Sequence, residues 1–458
     1  MVKPSHLVAG AGLLAAGALA LWPPPGLPVE GARAGALVVA TVVLLATGAL
    51  PEFVTAILFF VVAMLFAVAP AEVVFSGFHS AGFWIVFGGL VIGVGVRGTG
   101  LAGRLAHAIT GRFGRRYAAI ITGMVVVGVA LSFLMPSTMG RILILMPIVL
   151  AMADGFGYGP GSNGRAGLVL ASSFGTMIPG FAILPATLPA VVLIGASQTQ
   201  FGIAPVYGTW LLLHFPVLGI LKAVAIIVLT IWLFPEQDAK ATPAVEAPGA
   251  MAGRERLMVL LLSLALVLWM TDFLHHISPA WVAMGVAAVI VLPFVGIVSP
   301  QDFDSKLNFA SLFYVGGVLG LGGVMAHGGL GDWLAQNALE LLDLRPGRDG
   351  WNFAAVSTLS SLLAMLATQP SAPAILTPLA PHIAEATALP IETVLMMIVV
   401  GFSALVLPYQ TPPLVVAMQL GSVPMRQGNK LCLALLAVTV VLLLPLDYLW
   451  WRALGWFG

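Results

Sequence analysis

Apolar runs long enough to cross a bilayer follow one another through this chain, and they constrain its fold more than any motif does. A helix needs about 20 such residues to span the hydrocarbon. Ordinary spans are expected near 7–22, 34–50, 53–69, 82–97, 166–196, 209–234, 256–274, 280–297, 309–326, 393–420 and 430–451. Hydrophobic residues fill 60% of the 458 positions and charged ones 8%, against about 25% charged in soluble domains. No water-soluble fold hides that much apolar surface. The fold class is therefore an all-α polytopic membrane protein with about 11 transmembrane helices, its first partner the lipid bilayer. A net charge of +1 offers nothing to nucleic acid, and the single Cys432 cannot form an intrachain disulfide. No Cys/His cluster has metal-ligand spacing.

Two further segments, 118–151 and 352–385, are too long for one span and carry Pro and small polar residues at their centres. Each reads as a re-entrant helical hairpin of two half-helices meeting at a tip. Ala18-Leu19-Ala20 fits a signal-peptidase site, but residues 7–22 read better as an uncleaved span. With the N-terminus cytoplasmic, most Lys and Arg fall on that side, and only Arg33, Arg345, Arg348 and Arg452 fall outside. The positive-inside rule then places the C-terminus outside, in a cell (inner) membrane. Residues 98–116 suit an amphipathic helix in the interface, or a plain basic loop.

Landmarks recur. GTGLAGRLA (98–106) pairs with GGLGDWLA (328–335), PSTMGRILILMP (136–147) with PSAPAILTPLAP (370–381), and TLPAVVLIG (187–195) with TPPLVVAMQLG (411–421). An odd number of spans separates the copies, so they face opposite ways. Inverted repeats with broken helices characterise secondary transporters, whose substrate sits where the breaks converge. The expected organisation is N-terminal scaffold helices over 1–70, a first repeat over 71–234, a cytoplasmic linker over 235–255 and a second repeat over 256–458.

Half-helix N-termini at the tips suit an anion, and freed carbonyls suit a cation. Ser137, Thr138 and Ser371 add hydroxyls at the tips; Thr187, Gln410 and Thr411 are the polar groups at two further breaks, 177–189 and 406–413. Arg141 lies within the first hairpin, where a guanidinium costs about 2.5–3.5 kcal/mol on insertion scales. The nearest acid along its helix, Asp154, is about 20 Å away. Three explanations stay open: Arg141 snorkels to an interface, caps carbonyls of a broken helix where a cation would otherwise sit, or contacts an anionic substrate. No acid is expected at mid-span; Asp154, Asp272 and Asp447 sit near span ends, Lys222 is expected to snorkel outward, and His275-His276 reads as an interfacial pair.

With these features in hand, the chain resembles the divalent-anion/sodium symporter (DASS) family over about residues 50–450. The resemblance is carried by the hairpin motifs, by the Thr-Pro-Pro element of LPYQTPPLVV (407–416), by FHSAGFWIVFGGLVIGVGVRGTGLAGRLA (78–106) and by WMTDFLHHISPA (269–280). It implies eleven spans, two oppositely facing hairpins, a homodimer-forming scaffold and a transport part that moves as an elevator. It also implies a small anionic substrate such as a dicarboxylate, citrate or sulfate, no cofactor, and commonly Na+ as coupling ion. The family's Ser-Asn-Thr tips become Ser137-Thr138-Met139 and Ser371-Ala372-Pro373 here. A cation, where retained, is expected at Ser137, Thr138, Ala186, Ser371 and Gln410, with weak sodium dependence. The substrate site is expected from Ser137, Thr138, Arg141, Ser371, Thr187, Gln410 and Thr411. Rival readings are a transporter with exchange or proton coupling, and a non-transporting receptor or scaffold. An intramembrane enzyme lacks its catalytic constellation.

Overall fold

The computed structural model describes residues 4–101, 104, 115–135, 137–238, 249–327, 329–331, 333–334, 342–366 and 369–457. Every regular element among them is helical. Most of 98–116 and the centre of the 235–255 linker lie outside the described residues, as does Pro136. Among the described residues, seven helices are long and apolar enough to cross a membrane, or eight with one bent pair counted as a span. That is fewer than expected from hydropathy, because proline and glycine cut several apolar runs into shorter pieces. Leu14, Trp22, Val228, Trp232, Leu264 and Val441 are exposed, the apolar exterior that lipid requires.

The N-terminal helices are α1 (Pro4–Leu21), α2 (Val29–Thr47) and α3 (Glu52–Leu65), followed by α4 (Ala81–Thr99). Next comes an interrupted pair, α5 (Tyr117–Leu134) and α6 (Thr138–Gly155). Its arms are fuller than the half-helices expected. Ser137 caps α6 by accepting from the Gly140 N–H at 3.2 Å. Both arms pack on α7 (Asn163–Met177). The α5–α7 crossing is close: a Cβ on Gly128 would sit 2.5 Å from the Thr176 nitrogen, and one on Gly175 would sit 2.7 Å from the Val125 Cα. Small residues let membrane helices approach in this way.

The next span is broken, as the prolines predict. After α7 come short turns at Pro179–Ala182 and Leu184–Ala186, and then α8 (Leu188–Phe201) with Pro189 in its first turn. The long α9 (Tyr207–Leu233) contains a π-helical stretch at Phe215–Leu221.

The second half repeats this order. It contains α10 (Gly253–Met270), α11 (Pro279–Val291) and α12 (Phe309–His327), then α13 (Asp349–Leu366) and the kinked α14 (Ser371–Thr387). A broken span follows: α15 (Ile391–Phe402), a turn at Pro408–Gln410, and α16 (Pro412–Gly421). A Cβ on Gly401 would sit 2.2 Å from the Ser357 carbonyl oxygen, so α13 and α15 meet as closely as α5 and α7. The last helix, α17 (Met425–Ala453), carries its own π-helical stretch at Thr439–Leu443.

Candidate functional site

Both chain interruptions and both broken spans contribute to one cavity of about 240 Å³. That is below the roughly 300–1,000 Å³ of drug-sized sites and suits a small solute. Ser137, Thr138, Thr187, Gln410 and Thr411 line it, together with Gln369 beside the second tip. The lining also includes Glu52 at the start of α3, and Asn308, Ser311 and Tyr314 at and within the start of α12. Sequence reasoning had not singled out Gln369, Glu52 or Asn308; a polar residue at the edge of an apolar run was the only signal available.

Two wall donors have no protein partner. The Thr187 hydroxyl and the Gln410 Nε2 are buried without a hydrogen bond. The other end of Gln410 is fixed, its Oε1 accepting from the Val406 and Leu407 N–H groups at 2.8 and 2.7 Å. The free amide is thus held in place rather than floppy. The Thr411 hydroxyl donates to the Met177 sulfur at 3.1 Å. Ser137, Thr187 and Thr411 occupy the N-cap positions of α6, α8 and α16. Three helix N-termini, each with partial positive charge, therefore reach the cavity.

Arg141 and Ser371 are fully buried but lie behind this wall. The guanidinium of Arg141 makes five hydrogen bonds, one for each of its N–H groups. Nε donates to the Thr176 hydroxyl at 3.1 Å, and Nη1 donates to the carbonyls of Met135 and of Ala186, the latter at 3.0 Å. Nη2 donates to the Thr138 hydroxyl at 3.1 Å and to the Thr176 carbonyl at 2.9 Å. Met135 ends α5, Thr176 lies in the last turn of α7, and Ala186 ends the break. These are carbonyls that a helix end leaves unpaired.

Of the three explanations open for Arg141, the geometry matches the carbonyl cap. Its full burial rules out snorkelling, and its donors are saturated by protein oxygens. Its charge meets no acid among these partners, so it biases the adjacent cavity positively through Thr138. Sodium, the ion the resemblance implies, would need the same oxygen set, since hard cations take oxygen ligands. The first-half cage does not fit it, because the guanidinium already fills it.

The second half answers its freed carbonyls with other donors. Gln369 Nε2 donates to the Phe402 carbonyl at 3.1 Å. Lys222 Nζ donates to the Ser403 carbonyl at 3.0 Å and to its hydroxyl at 3.2 Å. Lys222 does not snorkel: it is 1% exposed, because the Ser403 carbonyl just past α15 gives its charge a partner inside the bundle. Asp447 lies near the end of α17, as expected, and is buried at 0% exposure.

Comparison with known proteins adds to this geometry. The family model described as the sodium:sulfate symporter transmembrane region matches residues 7–457. A membrane protein of Cupriavidus necator is 24% identical, over 96% of this chain and 90% of its own length. The sodium-dependent dicarboxylate transporter SdcS of Staphylococcus saprophyticus is 23% identical, over 87% of this chain and 83% of its own. Among solved structures, the YdaH transporter of Alcanivorax borkumensis superposes with a TM-score of 0.54 at 15% identity, over 85% of this chain and 89% of that one.

Proposed function

The chain belongs to the sodium:sulfate symporter family of membrane proteins, and on that premise we propose that it is a secondary transporter of a small anion, sulfate or a short dicarboxylate. The observation that carries the reading is the cavity wall: two orphaned donors, three helix N-termini, and an uncompensated guanidinium one layer behind. Such a wall recognises negative charge without an ion pair. Dicarboxylate enters the proposal because a relative aligned along most of the chain is named for it.

In the same reading, alternating access is of the elevator type. The interrupted pairs and broken spans move together, cross-tied by Arg141, past the Glu52 and Asn308 wall. A homodimer holds the stationary part. First-half coupling does not run through sodium, because Arg141 stands in for it.

The test is uptake into vesicles reconstituted with purified protein. Labelled sulfate and labelled succinate are each offered with sodium and with choline. Saturable uptake of at least one, competed by unlabelled anion and retained in choline, is the expected result. Flux no higher than in protein-free vesicles for both anions, with no shift in melting temperature, would sink the reading.

A further inference from the structure

Away from the substrate cavity, α9 and α17 bury a second polar cluster. Lys222 and His214 come from α9, and Asp447 and Trp451 from α17; none is more than 1% exposed. The His214 ring sits between Trp210 and Trp451, with centroids 5.0 and 5.5 Å away. Both ring nitrogens of His214 and both carboxyl oxygens of Asp447 have no hydrogen-bond partner, and neither has the Trp451 indole N–H. That N–H lies near the Asp447 carboxyl without closing a bond of normal geometry.

A structural ion pair in lipid closes directly and satisfies its remaining lone pairs, because leaving them dry is costly. Here the charges of Lys222 and Asp447 act on one another, yet no hydrogen bond joins them. The Lys222 ammonium instead holds Ser403, the residue that follows α15 where the second broken span opens. Each helix has a π-helical stretch on the N-terminal side of its charged residue, ending directly before Lys222 in α9 and at Leu443, one turn before Asp447, in α17, a distortion frequent at functional sites. The polar atoms form a ladder from His214 and Trp451 through Asp447 and Lys222 to that break.

Other ionisable groups on the packed elements lie toward helix ends. Asp272 accepts from the Tyr207 N–H at the start of α9, and Lys430 of α17 donates to the Leu233 carbonyl at the α9 end. Tyr448 and Arg452 lie further along α17. Asp349 opens α13, whose Phe353 packs on Trp451.

We infer that Asp447, with Lys222 and His214, forms a proton-binding site that couples movement of the second broken span to a proton. An intramembrane acid with a named basic partner and open lone pairs is the arrangement proton relays use. Protonating Asp447 removes the charge that faces Lys222 and so alters the hold of Lys222 on Ser403. The coupling rests on the transport reading above; the site itself does not.

Two measurements separate them. The first needs no substrate. Tryptophan fluorescence of the purified protein is followed over roughly pH 5 to 9. Wild type is expected to show a titration step, reported by Trp210 and Trp451, that is lost in Asp447→Asn and displaced in His214→Gln. Superimposable wild-type and Asp447→Asn curves overturn the site.

The second measurement is vesicle uptake of sulfate and succinate under a pH gradient. One coupled proton per anion gives about tenfold accumulation per pH unit. Asp447→Asn should lose that accumulation while keeping exchange of labelled for unlabelled anion. Accumulation that persists in Asp447→Asn overturns the coupling. Absence of all flux, with the fluorescence step intact, removes the transport reading and the coupling with it and leaves the proton site standing. Lys222→Gln, which should move the step, serves if Asp447→Asn does not fold.

Discussion

Arg141 fills a cage of carbonyl and hydroxyl oxygens, the position proposed above for a cation. Its five donors meet five oxygens, three of them carbonyls from α5, α7 and the first break. Truncation to Ala leaves those acceptors dry, at roughly 1–3 kcal/mol each unless something re-enters. Sodium is the right size and hardness to re-enter. Arg141→Ala is therefore expected to melt at a lower temperature than wild type and to regain stability in about 100 mM sodium chloride, by the ligand linkage any folded-state ion provides. Choline chloride should not do this, and wild type should respond to neither salt. Equal responses in both proteins would remove the ion-replacement account. At the cavity wall, Thr187→Val keeps the shape of the side chain and deletes an orphaned hydroxyl. Losing a hydrogen bond to a charged ligand should raise the uptake KM about tenfold, with melting temperature unchanged. An unchanged KM would place the hydroxyl outside substrate contact.

Element by element, the broken spans were legible because proline writes its own signal. Pro179, Pro185 and Pro189, and Pro408, Pro412 and Pro413, remove amide donors where the helices stop. The interruption between α5 and α6 was legible for a similar reason, since Ser137 both caps α6 and breaks the apolar run. What the chain did not disclose was which carbonyl faces which cation. Met135, Thr176 and Ala186 meet only after α7 folds against the first pair, so no spacing rule brings them to Arg141. Lys222 was misread because an apolar helix with no polar stripe does not say which way a lone lysine points. Its partner, the Ser403 carbonyl, is 181 residues away in sequence. Outside the membrane, Arg104 ties the first half to α10: it pairs with Glu255 and donates to the Gly249 carbonyl at 2.9 Å. The hydrogen bond from Arg104 holds the Glu255 carboxyl below its usual value. A depressed carboxylate contributes stability above its unfolded-state value and loses it as pH falls through the folded one. Wild type should therefore melt higher than Glu255→Gln near neutral pH, and the two melting curves should converge on acidification. A gap that is constant with pH would mean that the pair carries no charge-dependent stability.

For the whole molecule, the cavity joins two walls of different character. One is built from the tips and breaks, with donors, helix N-termini and the Arg141 charge behind it. The other brings Glu52 from the N-terminal helices, an acid facing a site read as anionic. Two like charges in one small cavity repel more strongly than in water, because the effective dielectric is lower. An acid here weakens binding while the two walls are together, and a weaker hold favours release. Glu52→Gln should then lower the uptake KM, by about threefold if water still screens the cavity mouth. It should also slow net turnover relative to exchange of labelled for unlabelled anion, since bound anion leaves less readily. A raised KM in Glu52→Gln would show the opposite role, a carboxylate that helps hold the substrate, and would count against anion selectivity as the function of the whole cavity.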